Sequence, residues 1–393
     1  MATIVFFCIP AWGHTNPTLE VVRELVARGH EVLYYSYEPL RGAIEAAGAR
    51  FVPCDDFDAQ LRLTPEEGRR VGKDLALSTR VLVDTTLALD GPVCREMEEL
   101  RPACIVGDSM AVWAKAAAWK LGLPYVCSTT TFAFNRYSAK VMKNSPGQML
   151  SMLLSLPAIR RDIGRLQGAG YPVNGVLDLL QSDERTHTLV YTSPQFQPRA
   201  DTFPAEYYSF VGPSLRPVET PFEKKRDRLV YISLGTVNNL MPRFYRDCIA
   251  ALGDTEYQVV LSVGADTDIA ALGPLPGNVE VHPTVDQMAL LEKADVFLTH
   301  CGMNSANEAL AYGVPLVCLP QTSEQGGVAA RAAELGAGLL LKKPTAQSIR
   351  QAVERVLREE DFRRSARELA RGFARCPGPA GAADKILAVA GVG

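Results

Sequence analysis

Apolar positions along this chain come in short continuous runs, separated by longer stretches in which they recur every three or four residues. Thr3–Ile9 (TIVFFCI), Glu31–Ser36, Cys104–Gly107 and Tyr125–Ser128 have the length and apolar density of buried strands; Pro17–Arg28, Arg41–Ala47 and Ala111–Leu121 carry the helical period. A second series repeats the scheme from Leu229 (LVYISLGTV) through Gln258–Val263, Val279–His282, Asp295–Thr299, Pro315–Leu319 and Gly338–Leu341. Strands alternating with helices need right-handed crossovers, so each series predicts a parallel, doubly wound sheet. Between them Pro213–Arg228 combines three prolines with mixed charge, the composition of a linker. The expected α/β organisation is therefore two Rossmann-like halves facing across a cleft: residues 1–212, a linker at 213–228, residues 229–376, and a segment 377–393. That last segment holds a helical pattern at Ala380–Val389, after the Pro377, Gly378, Pro379 break, that returns to the first half. Ligand sites in such sheets lie at the carboxyl ends of the strands. Ala139–Arg165 departs from the scheme: its Met- and Leu-rich run, broken by Pro146 and Pro157, suits either core packing or the roof of an apolar pocket.

The stretch densest in chemistry is Thr299–Gln325, THCGMNSANEALAYGVPLVCLPQTSEQ. It follows the buried run Ala294–Leu298, turns at His300, Cys301, Gly302 and Met303, and continues as a short helix with Asn304 or Ser305 as N-cap and Gly313 as left-handed C-cap. A strand feeding a glycine turn and a helix N-terminus points several N–H groups one way, as a phosphate requires. His300 and Asn304 add polar donors beside Gly302. Glu308 lies one turn beyond Asn304 on the same face, where its carboxylate can accept ribose hydroxyls.

A second candidate sits at the end of the first strand. His14 lies in the loop that precedes Asn16 and Pro17, read as N-cap and first helical residue. The helix dipole there disfavours imidazolium by ~0.3–1 kcal/mol, so the ring is available as a general base. Asp108 closes the strand Cys104–Gly107 on the same rim, placed to orient the imidazole and stabilise its protonated form. Taken singly, His14 as a capping residue and Asp108 as an N-cap are equally good readings.

Composition narrows the classes. With 41 basic and 44 acidic residues in 393, the chain has no net positive field for nucleic acid. Nine cysteines without metal-ligand spacing predict reduced thiols, no metal site and a cytoplasmic protein, and no run approaches a membrane span.

PAWGHTNPTLEVVRELVARGHEV, SLGT and HCGMNSANEALAYGVPLVCLPQTSEQ together resemble the macrolide and UDP-glycosyltransferase family, inverting enzymes of the GT-B fold, over nearly the full length. The resemblance implies an acceptor bound mainly by the N-terminal half, a UDP-sugar co-substrate bound mainly by the C-terminal half, and no metal or other cofactor. It assigns His14 as catalytic base and Asp108 as its orienting acid. His300, Gly302, Asn304 and Ser305 correspond to diphosphate-binding residues, Thr236 to a hydroxyl on phosphate, Glu308 to the ribose carboxylate, and Glu324 with Gln325 to the sugar-binding pair. The base-binding motif survives only as Thr284, Val285, Asp286 and Gln287, without its aromatic shelf and proline, which leaves uracil or thymine open. Trp12, Phe57, Met110 and Phe132 are candidates for a small apolar acceptor, phenolic, flavonoid or macrolide-like. The expected partners are these two small molecules, in a monomer or homodimer. A TDP-deoxysugar transferase, a sugar-nucleotide epimerase and a non-catalytic sugar-nucleotide sensor are the alternatives.

Overall fold

The computed structural model describes residues 1–54, 67, 70, 74–135, 137–138, 146–171, 173, 175, 185–218, 220–236 and 238–392, with the backbone alone at 146–152. The chain divides into two compact units. One takes Met1–Tyr191, Gln197–Ser214 and Pro377–Gly393; the other takes Thr192–Phe196 and Leu215–Cys376.

The first unit runs β1 (Thr3–Phe7), α1 (Trp12–Ala27), β2 (Glu31–Ser36), α2 (Arg41–Ala46), β3 (Arg50–Pro53), α3 (Leu75–Leu100), β4 (Cys104–Asp108), α4 (Val112–Leu121), β5 (Tyr125–Thr129), α5 (Pro146–Gly168), β6 (His187–Val190) and β7 (Tyr208–Phe210). Among the described residues these strands form one parallel sheet in the order β3-β2-β1-β4-β5-β6-β7. Alternate residues of β1 feed two different cores. Ile4 and Phe6 pack with Val22, Leu25 and Tyr34, while Val5 and Phe7 pack with Leu33, Tyr35, Leu89 and Trp113. A strand covered on both faces must be apolar throughout, which is why TIVFF shows no alternation.

The sequence reading assigns no element to α3, a helix of 26 residues. Its Gly91 and Pro92 resemble a break, yet both lie inside the helix, which Asp74 caps by accepting from the Leu77 N–H at 3.1 Å. Pro157 likewise fails to interrupt α5. The carbonyl it leaves without a helical donor belongs to Leu153, an exposed position where water can serve instead.

The second unit runs β8 (Leu229–Ser233), α6 (Pro242–Leu252), β9 (Gln258–Ser262), β10 (Val279–His282), α7 (Gln287–Leu291), β11 (Val296–Thr299), α8 (Met303–Ala311), β12 (Leu316–Cys318), α9 (Ser323–Glu334), β13 (Gly338–Leu340), α10 (Ala346–Arg358) and α11 (Glu360–Phe373). Its sheet, again parallel, has the order β10-β9-β8-β11-β12-β13 among the described residues. Thr192–Phe196 goes with this unit although the sequence reading counts it in the first half. The Thr192 hydroxyl donates to Asn307 at 3.0 Å, and the Arg331 guanidinium holds the carbonyls of Gln195 and Phe196.

The last helix, α12 (Gly378–Val389), buries Ala382, Ala383 and Ile386 in the α1 side of the first unit's core. The Gly378 N–H donates to Val211, and Arg28 pairs with Asp384 at 2.5 Å. Among the described residues, no helix is long and apolar enough to cross a membrane, and no group of three or more His, Cys, Asp or Glu side chains is gathered as a metal site.

Candidate active site

In both sheets the strand order reverses direction at one place, between β1 and β4 in the first and between β8 and β11 in the second. Loops leaving the carboxyl ends of two such strands run apart and open a crevice, the usual ligand position in a doubly wound sheet. His14 and Asp108 stand at the first reversal; Thr236, His300, Gly302, Asn304 and Ser305 follow the strands at the second.

At the first, His14 is the third residue of α1 and lies within the helix. The expected start at Asn16 and Pro17 is corrected: Ala11 is the N-cap, and Pro17 falls inside. The chain turns as soon as β1 ends, with the N–H groups of His14 and Thr15 both donating to the Ala11 carbonyl at 3.0 Å. Proline's fixed φ suits a helix even where its missing N–H costs a bond. His14 Nδ1 stands 2.7 Å from Asp108 Oδ2 and 3.1 Å from the Thr130 hydroxyl. The Asp108 side chain is only 1% exposed and that of His14 21%, so the pair is held at the bottom of an open rim. The other carboxylate oxygen, Oδ1, accepts the Met110 N–H at 2.9 Å. One aspartate thus both closes its own turn and orients the ring. It does not cap α4, whose N-cap is Ala111. An ionised carboxylate only accepts, so Nδ1 carries the proton and the basic lone pair is at Nε2.

Thr130 escaped the sequence reading because nothing in STTTF marks one threonine over its neighbours. Its loop is fastened by Gln197, whose amide exchanges bonds of 3.0 and 2.9 Å with Ala133. Of the acceptor candidates, Trp12 opens α1 and is 40% exposed, Met110 packs against Leu82, Val83, Val112 and Ile163, and Phe132 is buried. Phe57 lies outside the described residues.

At the second reversal the sequence reading's N-cap is also corrected. Gly302 caps α8 and brings no side chain, which puts Asn304 and Ser305 inside the first turn. Cys301 adopts a left-handed conformation (φ 62°) that is costly for a side-chain residue, and its N–H donates to Thr299 Oγ1 at 3.2 Å. The turn is built around the His300 imidazole. A Cβ on Gly235 would come within 2.6 Å of the ring's Cε1, and one on Gly302 within 2.5 Å of its Nε2. Two glycines from different strand ends are therefore required for the ring to lie where it does. Burial lowers the His300 pKa to about 4, against the pull of its hydrogen bond with the Ser233 backbone. At neutral pH this histidine carries no charge, and the one N–H of its neutral ring is committed to the Ser233 backbone.

The Gly235 turn holds Thr236, which is exposed. Asn239 secures it, donating to the Gly235 carbonyl at 2.8 Å while its amide fills the space that a side chain on Gly264 would need. Val285 is half-buried ahead of α7, and Asp286 caps that helix by accepting from the Met288 and Ala289 N–H groups. Gln287 Nε2 reaches both Ser305 Oγ, at 3.3 Å, and Glu308 Oε2. Burial pushes the Glu308 carboxyl up from its ordinary range, opposed by the Gln287 amide and the charge of Arg216.

Glu324 is exposed in the first turn of α9. Gln325 is buried beside it and closes a capping box with Thr322, its Oε1 accepting from the Gln321 and Thr322 N–H groups at 2.8 and 3.2 Å. Only its amide nitrogen remains suited to a substrate hydroxyl.

Comparison with known proteins identifies the family and the class of activity. Residues 246–389 match the erythromycin biosynthesis protein CIII-like C-terminal domain. NDP-glycosyltransferase YjiC of Bacillus licheniformis is 32% identical, covering 99% of this chain and 98% of its own. Demethyllactenocin mycarosyltransferase of Streptomyces fradiae is also 32% identical, covering 98% of this chain and 86% of its own. Among solved structures, the calicheamicin glycosyltransferase CalG4 superposes with a TM-score of 0.82 at 29% identity, over 100% of this chain and 98% of that one.

Proposed function

We propose, taking as premise that the chain belongs to the NDP-glycosyltransferase and macrolide glycosyltransferase family and is a glycosyltransferase of GT-B fold, that it moves a hexose, glucose first, from a UDP-sugar to a hydroxyl of a small apolar acceptor with inversion. The observation that carries this reading is the 2.7 Å contact between His14 Nδ1 and buried Asp108. His14 Nε2 takes the acceptor's hydroxyl proton, the oxygen attacks the anomeric carbon, and the bond from that carbon to the diphosphate breaks in the same step. Asp108 stabilises the imidazolium that results, worth roughly a hundred- to ten-thousandfold in rate as general-base help.

Negative charge that grows on the leaving diphosphate is met by the first turn of α8 and by Thr236, with uncharged His300 seated beside that turn, without a metal ion. Preorganised donors of this kind account for the greater part of the rate enhancement in many enzymes. Glu308 takes the ribose hydroxyls, which favours UDP over TDP. Glu324 and the Gln325 amide nitrogen take the sugar hydroxyls, and Trp12, Met110 and Phe132 line the acceptor side.

The test is incubation with UDP-glucose and a panel of phenolic and macrolide acceptors, with and without EDTA. Release of UDP and a product heavier by one hexose, unchanged by EDTA and slowed by about a hundredfold or more in His14→Ala, supports the reading. Full turnover in that variant, or dependence on a divalent cation, contradicts it. The departure of Thr284 and Asp286 from the base-binding motif, with the mycarosyltransferase relative, favours a second reading in which a TDP-deoxysugar is the donor. Preference for TDP over UDP in a thermal-shift comparison would select it.

A further inference from the structure

Behind Gln287 of the base-binding motif and Glu308, read as the ribose carboxylate, stands a third residue that the motif reading does not use. Tyr231 lies on β8, 1% exposed, its ring stacked on Phe297 of the neighbouring strand at 4.6 Å with 6° between planes. A ring clamped in this way aims its hydroxyl in a fixed direction, and the hydroxyl donates to Gln287 Oε1 at 3.1 Å. Burial raises the phenol's pKa, so it stays protonated and a donor at any physiological pH.

An amide has one accepting and one donating end. With its oxygen occupied by the phenol, Gln287 presents its nitrogen to Glu308 Oε2 and Ser305 Oγ. The reverse orientation would set the amide oxygen against a carboxylate. The chain continues in the other direction too. Ser233 hydrogen-bonds the phenol, and its Oγ accepts the Gly235 N–H at 3.2 Å in the turn beside His300. One line of bonds therefore runs from that glycine turn to the ribose carboxylate, with Tyr231 as its rigid middle.

We propose that Tyr231 is a positioning residue for nucleotide selection: by fixing the Gln287 amide it holds the Glu308 carboxylate where it can accept a ribose 2′-hydroxyl, and so sets the preference for a ribonucleoside diphosphate over its 2′-deoxy counterpart. This rests on the reading of Glu308 as the ribose-binding carboxylate. A carboxylate held at the 2′-position loses a charge-assisted bond when the hydroxyl is missing, whereas one free to turn away loses little.

The experiment is calorimetric titration of the intact enzyme with UDP and with 2′-deoxy-UDP, for wild type, Glu308→Gln, Tyr231→Phe, Gln287→Met and the Tyr231→Phe, Gln287→Met double variant. Tyr231→Phe keeps the stacked ring and removes only the hydroxyl. Wild type is expected to prefer UDP by roughly tenfold or more, the scale of one hydrogen bond to a charged group. Tyr231→Phe should cut that ratio by about three- to tenfold through weaker UDP binding alone, with 2′-deoxy-UDP held within about twofold. The double variant should be no worse than Gln287→Met, since both lesions break one chain.

A ratio unchanged in Tyr231→Phe, an equal loss of both ligands, or strict additivity in the double variant would each overturn the proposal and leave the Glu308 reading intact. Equal affinities in wild type, or a preference that survives Glu308→Gln, would remove the Glu308 reading and this proposal with it.

Discussion

The two sheet reversals solve the same geometric problem with different materials. At the β1–β4 reversal the site is made of side chains: His14 from α1, Asp108 from the end of β4 and Thr130 from the loop after β5 meet at one imidazole nitrogen. At the β8–β11 reversal it is made largely of backbone. Gly235 and Gly302 leave room for His300, Gly302 caps α8 with no side chain, and Cys301 accepts a left-handed conformation to make the turn. Proton transfer needs a titratable group at one point, whereas a diphosphate needs several donors over a broad face, and backbone N–H groups supply those without a conformational cost at binding. The tolerance of the two sites to substitution should differ accordingly.

The largest effect is expected at the side-chain site. His14→Ala should lower kcat with an alcohol acceptor by about 10²- to 10⁴-fold while UDP affinity changes by less than about twofold. A parallel loss of UDP affinity, read by calorimetry, would erase the distinction between the two sites.

At the backbone site the sensitive positions are those without side chains. Gly302→Ala should push the His300 ring aside, raise the KM for the sugar nucleotide by roughly tenfold, and cost about 1–3 kcal/mol of stability as overpacking does. Gly302 has a φ of −58°, so the damage comes from the Cβ contact and not from backbone strain. Steady-state kinetics showing the loss in kcat at unchanged KM would contradict this.

Glu308→Gln sharpens the comparison from the other side. Burial disfavours the Glu308 charge, so the neutral isostere should raise the thermal midpoint slightly while it weakens UDP binding by about tenfold, a function kept at the expense of stability. A lower midpoint by differential scanning calorimetry would show that the carboxylate is structural.

The smallest effect is on pH dependence. His300 titrates near 4 in the fold against 6.5 in the unfolded chain. Between those values the unfolded chain binds more protons, so the contribution is complete above about pH 6.5 and is lost as pH falls toward 4. Urea midpoints at pH 7 and pH 4.5 should drop further for wild type than for His300→Gln; equal drops would mean that His300 titrates normally.

Most of the sheet scheme can be read from the chain because strands buried on both faces must be continuous apolar runs. Glu31–Ser36 and Val279–His282 fall where the pattern puts them. Helix starts were less legible. Asn16–Pro17 and Asn304–Ser305 have the composition of caps, but the helices start earlier, at Ala11 and Gly302, neither of which caps with a side chain. The 26-residue α3 was invisible for a related reason: Gly91 and Pro92 carry a turn signal that tertiary packing overrides.

The sequence by itself determined the alternation of strands and helices, the near balance of basic and acidic residues, and the residue types at each strand end, since these follow from local pattern and composition. Only the tertiary structure decided what those residues do to one another. His14 and Asp108 are 94 positions apart and meet because β1 and β4 are neighbours. Tyr231 sits in an unremarkable strand, and its place behind Gln287 and Glu308 exists only because β8 and β11 are neighbours, with α7 and α8 leading into and out of β11. Hydrogen bonds are directional and short in range, so which polar groups face each other is settled by the order and register of the strands, and no local pattern encodes that order.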